Sequence, residues 1–397
     1  MKFYALQRYI FITVALVTLL MPFAARADEA ADSIPTASVS ADSIKHRRNI
    51  FQKFFDYFAN SNKTEITTHP RFSLIGGPSY SVDTKFSIGL LAAGLYSTDP
   101  TDTSLMHSNI SLTGQVSTAG YYMLGARGTH VFPHDTRRIN YRTRIYSFST
   151  YFWGIGFDDE HINANRSAYD HVNFMLSADY SWQIAPKFFL GPMIYFDYTY
   201  AHKVSDLSLW EHEPLSAISA GLGMALRLDT RDNINSAYSG VLLELSERIF
   251  PSIFGRHSRN FALTEANFNV YKTVWKGGVV AGHIHGEFTI GESLWNMMPV
   301  LGGSMGFRGY YDGRYRDRNE IDAIIELRQH FWIRSGVAIW GGIGSVFHHF
   351  DDMRWKKLLP NVGIGYRWEF KQRTCVRLDY GIGRGESGLV FQINEAF

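Results

Sequence analysis

The chain has one cysteine, Cys375, in 397 residues. That excludes a disulfide framework and any zinc module built on cysteine pairs. Charge is sparse as well, at 19% of residues against the roughly 25% usual in soluble domains. Lys+Arg 39 against Asp+Glu 37 leaves a formal charge of +2, so nothing here argues for nucleic acid as a partner. After residue 27, no stretch reaches the ~20 consecutive apolar residues of a membrane-spanning helix. A hydrophobic content of 45% with so few charges also excludes a disordered chain. What the chain does carry in quantity is aromatic side chains, at 15%, and 35 glycines.

The first segment sets an expectation about compartment. Lys2 and Arg8 precede an apolar run from Tyr9 to Leu20, and Ala25-Arg26-Ala27 follows as an A-x-A cleavage site. This is the pattern of a secretory signal peptide over residues 1–27, with the mature chain starting at Asp28. No cysteine lies near that junction, so a lipid anchor is not expected.

From Arg71 to Phe397 the dominant period is two. In His171–Ile184, Val172, Phe174, Leu176, Ala178, Tyr180, Trp182 and Ile184 alternate with His171, Asn173, Met175, Ser177, Asp179, Ser181 and Gln183. Ala217–Asp229 and Asn361–Phe370 repeat the pattern. Successive strand side chains point to opposite faces, so each segment has one apolar and one polar face. A soluble sandwich would alternate too, but its strands usually hold about 5–6 residues. A membrane-crossing strand needs about 9–11, and many segments here reach that length or exceed it. Their apolar faces end in Tyr, Trp and Phe, as interfacial girdles do. Lipid tolerates no open sheet edge, so the fold class is all-β, a transmembrane antiparallel β-barrel over 71–397.

About sixteen strands are expected, near 72–79, 85–97, 109–118, 121–132, 138–150, 168–184, 187–201, 215–229, 239–249, 260–275, 277–290, 320–331, 335–348, 358–370, 373–383 and 387–397. With the N-terminus periplasmic, short turns such as Lys276-Gly277 and Gln372-Arg373 face the periplasm. The longest connection, roughly 291–319, then lies outside, as the usual asymmetry of such barrels requires. Residues 28–70 form a separate piece. Its start reads as a flexible linker, and Arg48–Asn60 places Phe51, Phe54, Phe55 and Phe58 at the spacing of a short amphipathic helix. That helix could dock a periplasmic partner, plug the pore, or lie under the barrel wall.

Two motif readings compete in the longest connection. Gly302-Gly303-Ser304-Met305-Gly306 matches the G-x-S-x-G nucleophile elbow, but no helical pattern follows the serine, so an enzyme is not expected. The stretch Gly302-Gly303 … Gly306-Phe307-Arg308-Gly309-Tyr310, then Arg316-Asp317 and a strand with Glu326, resembles the BamA/TamA family of outer-membrane assembly and translocation barrels. Two further signatures share in the resemblance. One is Leu228-Asp229-Thr230-Arg231-Asp232-Asn233 … Gly240, whose turn carries Asp229, Arg231 and Asp232. The other is the final strand, Gly388 … Phe391-Gln392-Ile393-Asn394-Glu395-Ala396-Phe397. The resemblance covers roughly 70–397 and implies a bacterial outer-membrane location, a lipid bilayer around the barrel and polypeptide substrates. It departs from the family in three places. Where relatives often place a second acidic partner for the loop arginine, Trp340 is followed by Gly341-Gly342. Glu395 interrupts the apolar face of Leu389, Phe391, Ile393 and Phe397. Residues 28–70 are too few for a POTRA domain, so the resemblance implies a periplasmic or outer-membrane partner in that role.

The loop motif has its own physics. An arginine next to glycine can be carried deep, because glycine has no side chain to exclude a neighbouring backbone. Asp322, Glu326 and Arg328 share the polar parity of their strand, so Glu326 faces the lumen and an Arg308–Glu326 pair would lock the loop inside. The alternative is a solvated arginine on an external loop. In the first strand, Gly76-Gly77-Pro78 weaken the ladder. Since closure pairs the first strand with the last, Gly76, Gly77, Pro78, Phe391 and Phe397 mark either a lateral seam that unzips or a tapered rim.

Other polar residues read more plainly. His283, His285 and Glu287 share the lumen parity, and His348-His349 sit at a loop edge, but no spacing matches a metal or catalytic set. No metal or cofactor is therefore expected. Cys375 falls on the lumen parity as a packed or free thiol, and Arg138, Arg142 and Arg144 form a basic stripe that attracts anions or balances acids. The expectation is a barrel that helps insert or move proteins, or lipids, through a lateral seam. The alternative is a passive or gated outer-membrane pore.

Overall fold

A computed structural model describes residues 67–397 except 82–84, 103–104, 119, 163, 211–212, 304–305, 333 and 372. The expected signal peptide, linker and helix at 48–60 lie outside the described residues, as does Ser304. Among the described residues no helix is long and apolar enough to cross a membrane.

Sixteen strands form one antiparallel sheet in chain order. They are β1 (Arg71–Ser81), β2 (Lys85–Tyr96), β3 (Ser108–Ser117), β4 (Tyr122–Val131), β5 (Arg137–Phe152), β6 (Ser167–Ala185), β7 (Phe188–His202) and β8 (Ser216–Asp229). β9 (Gly240–Phe250), β10 (Phe261–Trp275) and β11 (Gly278–Gly291) continue it. The long connection then carries a small hairpin of its own, β12 (Val300–Leu301) with β13 (Tyr315–Arg316). The sheet resumes with β14 (Asn319–Trp332), β15 (Ser335–Phe347), β16 (Leu359–Lys371), β17 (Thr374–Gly383) and β18 (Glu386–Ile393). Among the described residues β1 is laddered to β2 and β18 to β17, and no ladder joins β1 to β18.

The alternation of the sequence is inverted relative to a soluble protein. On β6 the polar parity is buried, with His171, Asn173, Asp179 and Ser181 inside, while Trp182 and Ile184 are exposed. Leu222 on β8, Ile325 on β14 and Leu389 on β18 are each about 70% exposed (70%, 69% and 69%). Apolar side chains outside and hydrogen-bonded polar groups inside are the arrangement that hydrocarbon, not water, stabilises. Trp182, Trp275, Phe331 and Trp332 are exposed at the ends of β6, β10 and β14, all beside the short turns, where an aromatic girdle meets the lipid headgroups. This is a membrane-spanning barrel sheet.

Its core is the interior. Phe157, Leu301, Phe307, Tyr310, Tyr315 and Trp340 belong to one buried cluster, in which aromatics of the long connection pack against β14, β15 and β16. The loop between β11 and β14 thus fills part of the space the strands enclose.

Candidate functional site

Arg308 stands at the tip of that loop and is fully buried. Its Nη2 donates to Glu326 Oε2 at 2.5 Å and its Nη1 to Asp379 Oδ2 at 2.8 Å. The guanidinium lies 3.8 Å from the centroid of the Trp340 ring, an electrostatically favourable seat for a cation. The register explains the arrangement: Glu326 of β14 is paired with Trp340 of β15, so acid and indole are lateral neighbours on the inner face. Asp379 comes from β17, 71 residues away in sequence, and is the second acid that the Gly341-Gly342 run does not supply. Gly342 has another use. A Cβ on Gly342 would stand 2.6 Å from Asn361 Oδ1, and Asn361 donates from Nδ2 to the Arg308 carbonyl at 2.8 Å.

The charges around Arg308 form a network. Glu326 also accepts from Arg328 Nε at 2.6 Å, and Asp379 from Arg367 and Arg377. Four buried guanidiniums and two buried carboxylates need more negative charge. Glu395 supplies it, accepting from Arg367 Nε at 2.9 Å and lying 3.6 Å from Arg328 Nε.

Glu395 reaches that position because the chain leaves the sheet. Phe397 was expected on the final strand at the seam, but β18 ends at Ile393 and Asn394 turns inward with φ +67. The Phe397 ring stacks on His283 at 4.7 Å, and its main-chain oxygen accepts from Arg328 Nη2 at 3.0 Å. The physical cause is charge: a carboxylate on the lipid-facing parity is costly in hydrocarbon, whereas the interior arginines receive it. Cys375 lies beneath this tail, its buried thiol 3.5 Å from Glu395 Oε1.

Phe307, Gly309 and Tyr310 hold the loop in place. Phe307 stacks on Tyr310 with centroids 5.4 Å apart. The Tyr310 hydroxyl donates to the Pro360 carbonyl at 2.6 Å and accepts from the Arg384 amide at 2.7 Å. Burial pushes that phenol up to about 12, so it remains a donor across the physiological range. Gly309 adopts φ +107 and lies against Gly381 of β17, while a Cβ on Gly388 of β18 would be 3.8 Å from the Gly309 Cα. Glu386, the first residue of β18, accepts from the Tyr311 amide at 2.8 Å and from Arg314 Nη1. No sequence signal singled out Asp379, Glu386 or Asn361, because each acts through a register that spacing does not reveal.

The Asp229 turn gathers a second constellation at the short-turn end. Asp229 accepts from Arg138 Nη1 at 3.0 Å and from Arg231 Nε at 2.9 Å. Arg138 also forks onto Asp135 at 2.8 and 2.9 Å, so in this stripe it balances acids. Asp232 Oδ1 accepts the amides of Tyr238 and Ser239, and its Oδ2 pairs with Arg373 Nη2 at 2.8 Å. The connection from β8 to β9 thereby reaches the turn between β16 and β17, and Asn235 accepts the Glu395 amide at 3.3 Å. At the other candidate edge, Gly76, Gly77 and Pro78 pair with Leu90, Gly89 and Ile88 of β2, so the ladder register runs through them. Phe391 is exposed on the outer face of β18. Ser73 of β1 lines one small cleft together with Thr374 of β17 and Asn394, the residue that follows β18. Residues 306–310 form bends and a turn, not the helix of a nucleophile elbow.

Fold and interior together define a sixteen-stranded membrane barrel of the outer-membrane kind, with an inward-folded loop. No protein-family model and no curated protein sequence matches the chain. Solved structures do. CdiB from Acinetobacter baumannii superposes with a TM-score of 0.53 at 9% identity, over 84% of this chain and 60% of that one. CdiB from Escherichia coli gives 0.50 at 10% identity, over 86% and 69%. BamA from Haemophilus ducreyi, in a form lacking POTRA domains 1-3, gives 0.49 at 11% identity, over 82% and 70%. The likeness is one of fold: the chain is a β-barrel similar in fold to CdiB.

Proposed function

We propose that this chain assists the insertion or translocation of polypeptides at the bacterial outer membrane, through a seam between β1 and β18. One observation carries the reading: the interior loop is fastened to the last two strands of the sheet, through Glu386 on β18 and Gly381 on the neighbouring β17. A loop held there couples events inside the barrel to the end of the sheet. Parting β1 from β18 exposes a row of backbone donors and acceptors, and an incoming strand pairs with them as it does with any open edge. Arg308 braces the wall while the edge strands move. The mechanism is conformational and breaks no covalent bond, so no catalytic residue belongs to it. A periplasmic or outer-membrane partner that presents substrates is part of the same proposal.

The test is a reversible lock. Cysteine pairs walked along β1 and β18, in a Cys375→Ser background, are oxidised in cells whose only copy is the variant. Quantitative outer-membrane proteomics should then show several barrels or exported proteins falling together, with recovery on reduction. Undiminished levels with the seam fully crosslinked would overturn the reading. A large steady single-channel conductance from purified protein would favour a pore instead.

A further inference from the structure

The interior carries a second cluster, away from Arg308, that the proposed function does not use. The register sets Glu265 of β10 opposite Glu287 of β11, and Glu287 opposite Glu320 of β14. Three carboxylates therefore stand in one cross-strand row, where like charges directly opposite destabilise a sheet. The next row adds His285 opposite Asp322. Arg248 pairs with Glu265 at 2.5 Å and lies 4.0 Å from Glu287. Glu320 and Asp322 have only histidines as ion-pair partners among the described residues. Within ion-pair distance four carboxylates face one guanidinium and two imidazoles, which leaves a negative surplus.

Unused lone pairs make the surplus specific. Glu320 is 1% exposed and touches His285 Nδ1 through Oε2 at 3.0 Å, yet its Oε1 has no hydrogen-bond partner. Asp322 is 5% exposed; its Oδ2 lies 3.7 Å from the same Nδ1, and its Oδ1, 3.7 Å from His283 Nε2, has no hydrogen-bond partner. Buried carboxylate oxygens without a hydrogen bond are expensive, and a cation is what satisfies them.

We propose that His285 Nδ1, Glu320 and Asp322 form a site for a divalent first-row transition ion, Zn²⁺ being the probe that matches it. Their ligand atoms all lie within 4.8 Å of one another. Zinc bonds of ~2.0–2.2 Å in a tetrahedral shell space the ligands about 3.4 Å apart, and the separations of 3.0 and 3.7 Å bracket that value. One imidazole with carboxylates is a donor set such ions accept, and three protein ligands leave a fourth position for water. Glu265 Oε1, 3.8 Å from His285 Nε2, stands where a carboxylate orients a ligating histidine from behind. No spacing in the sequence announces the set, since its members come together only across β11 and β14. The ion would strap those strands beside the interior loop, where a Cβ on Gly306 would be 3.6 Å from His283 Nε2.

The experiment is calorimetric titration of Zn²⁺ into the full chain, tag-free, stripped with chelator and folded in detergent. One saturable site per chain is expected. His285→Ala and Glu320→Gln should each weaken it by at least about tenfold, and a His348→Ala/His349→Ala variant should leave it unchanged. A second readout uses the unmutated chain: Zn²⁺ should protect His285 from diethylpyrocarbonate, as read by mass spectrometry. No saturable binding, binding lost only in the His348/His349 variant, or His285 modified equally with and without Zn²⁺ would each overturn the site.

Discussion

A Cβ placed on Gly381 would stand 2.8 Å from the Cα of Gly309, so the loop and the wall of β17 meet backbone to backbone. No side chain fits between them, and Gly309 also needs its φ of +107, which other residues rarely adopt. This contact lets the neighbouring Arg308 reach both Glu326 and Asp379.

Gly381→Ala is therefore expected to lift the loop without unfolding the barrel, at a cost of about 1–3 kcal/mol for the overpacked contact. Limited proteolysis should cut residues 302–318 faster in this variant, while heat-modifiable gel mobility persists. Gly341→Ala is the control, since its Cβ would meet nothing nearer than 4.0 Å. Equal cutting in both variants would argue against the contact.

The two partners of the buried pair should not cost the same to remove. Glu326→Ala leaves four guanidiniums against two carboxylates in a buried site, a cost of about 3–5 kcal/mol, whereas Arg308→Ala leaves three of each and should cost less. The temperature at which the folded gel band disappears should drop in each single variant. It should partly recover in Arg308→Met/Glu326→Leu, and unaltered mobility in both single variants would rule the pair out as a brace.

At the short-turn end the ion pairs of the two acids in one motif should behave differently. Asp229 is buried between Arg138 and Arg231, so Asp229→Ala is expected to destabilise by several kcal/mol, about 3–5. The Asp232–Arg373 pair is partly exposed, and Arg373→Ala should cost about 1 kcal/mol or less. Denaturant melts of the two variants in detergent make the comparison.

The inward tail can be read through the cysteine beneath it. Glu395→Ala removes the anion shared by Arg367 and Arg328 and should free the tail. Maleimide labelling of Cys375, slow in the parent chain because the thiol is buried, should accelerate at least about tenfold if tail opening is eased by 1.4 kcal/mol or more. An unchanged rate would show that the tail is held by something other than Glu395.

Much of this architecture was legible in the residues. The period of two and segments longer than a sandwich needs give sixteen membrane strands, because strand parity is a local property of the backbone. Glu326 could be assigned to the interior by the same parity. Glu395 was visible as a charge on the apolar face of the last strand, and that conflict is where the strand leaves the sheet.

What the sequence by itself determined is the class of fold, the inner and outer faces, and the loop that carries Arg308. Only the tertiary structure decided which acids meet that arginine, how the tail folds, and which carboxylates line up across β10, β11 and β14. Those partners lie on different strands, and register and curvature rather than sequence spacing bring them together. Asp379 meets Arg308 across 71 residues of chain for that reason.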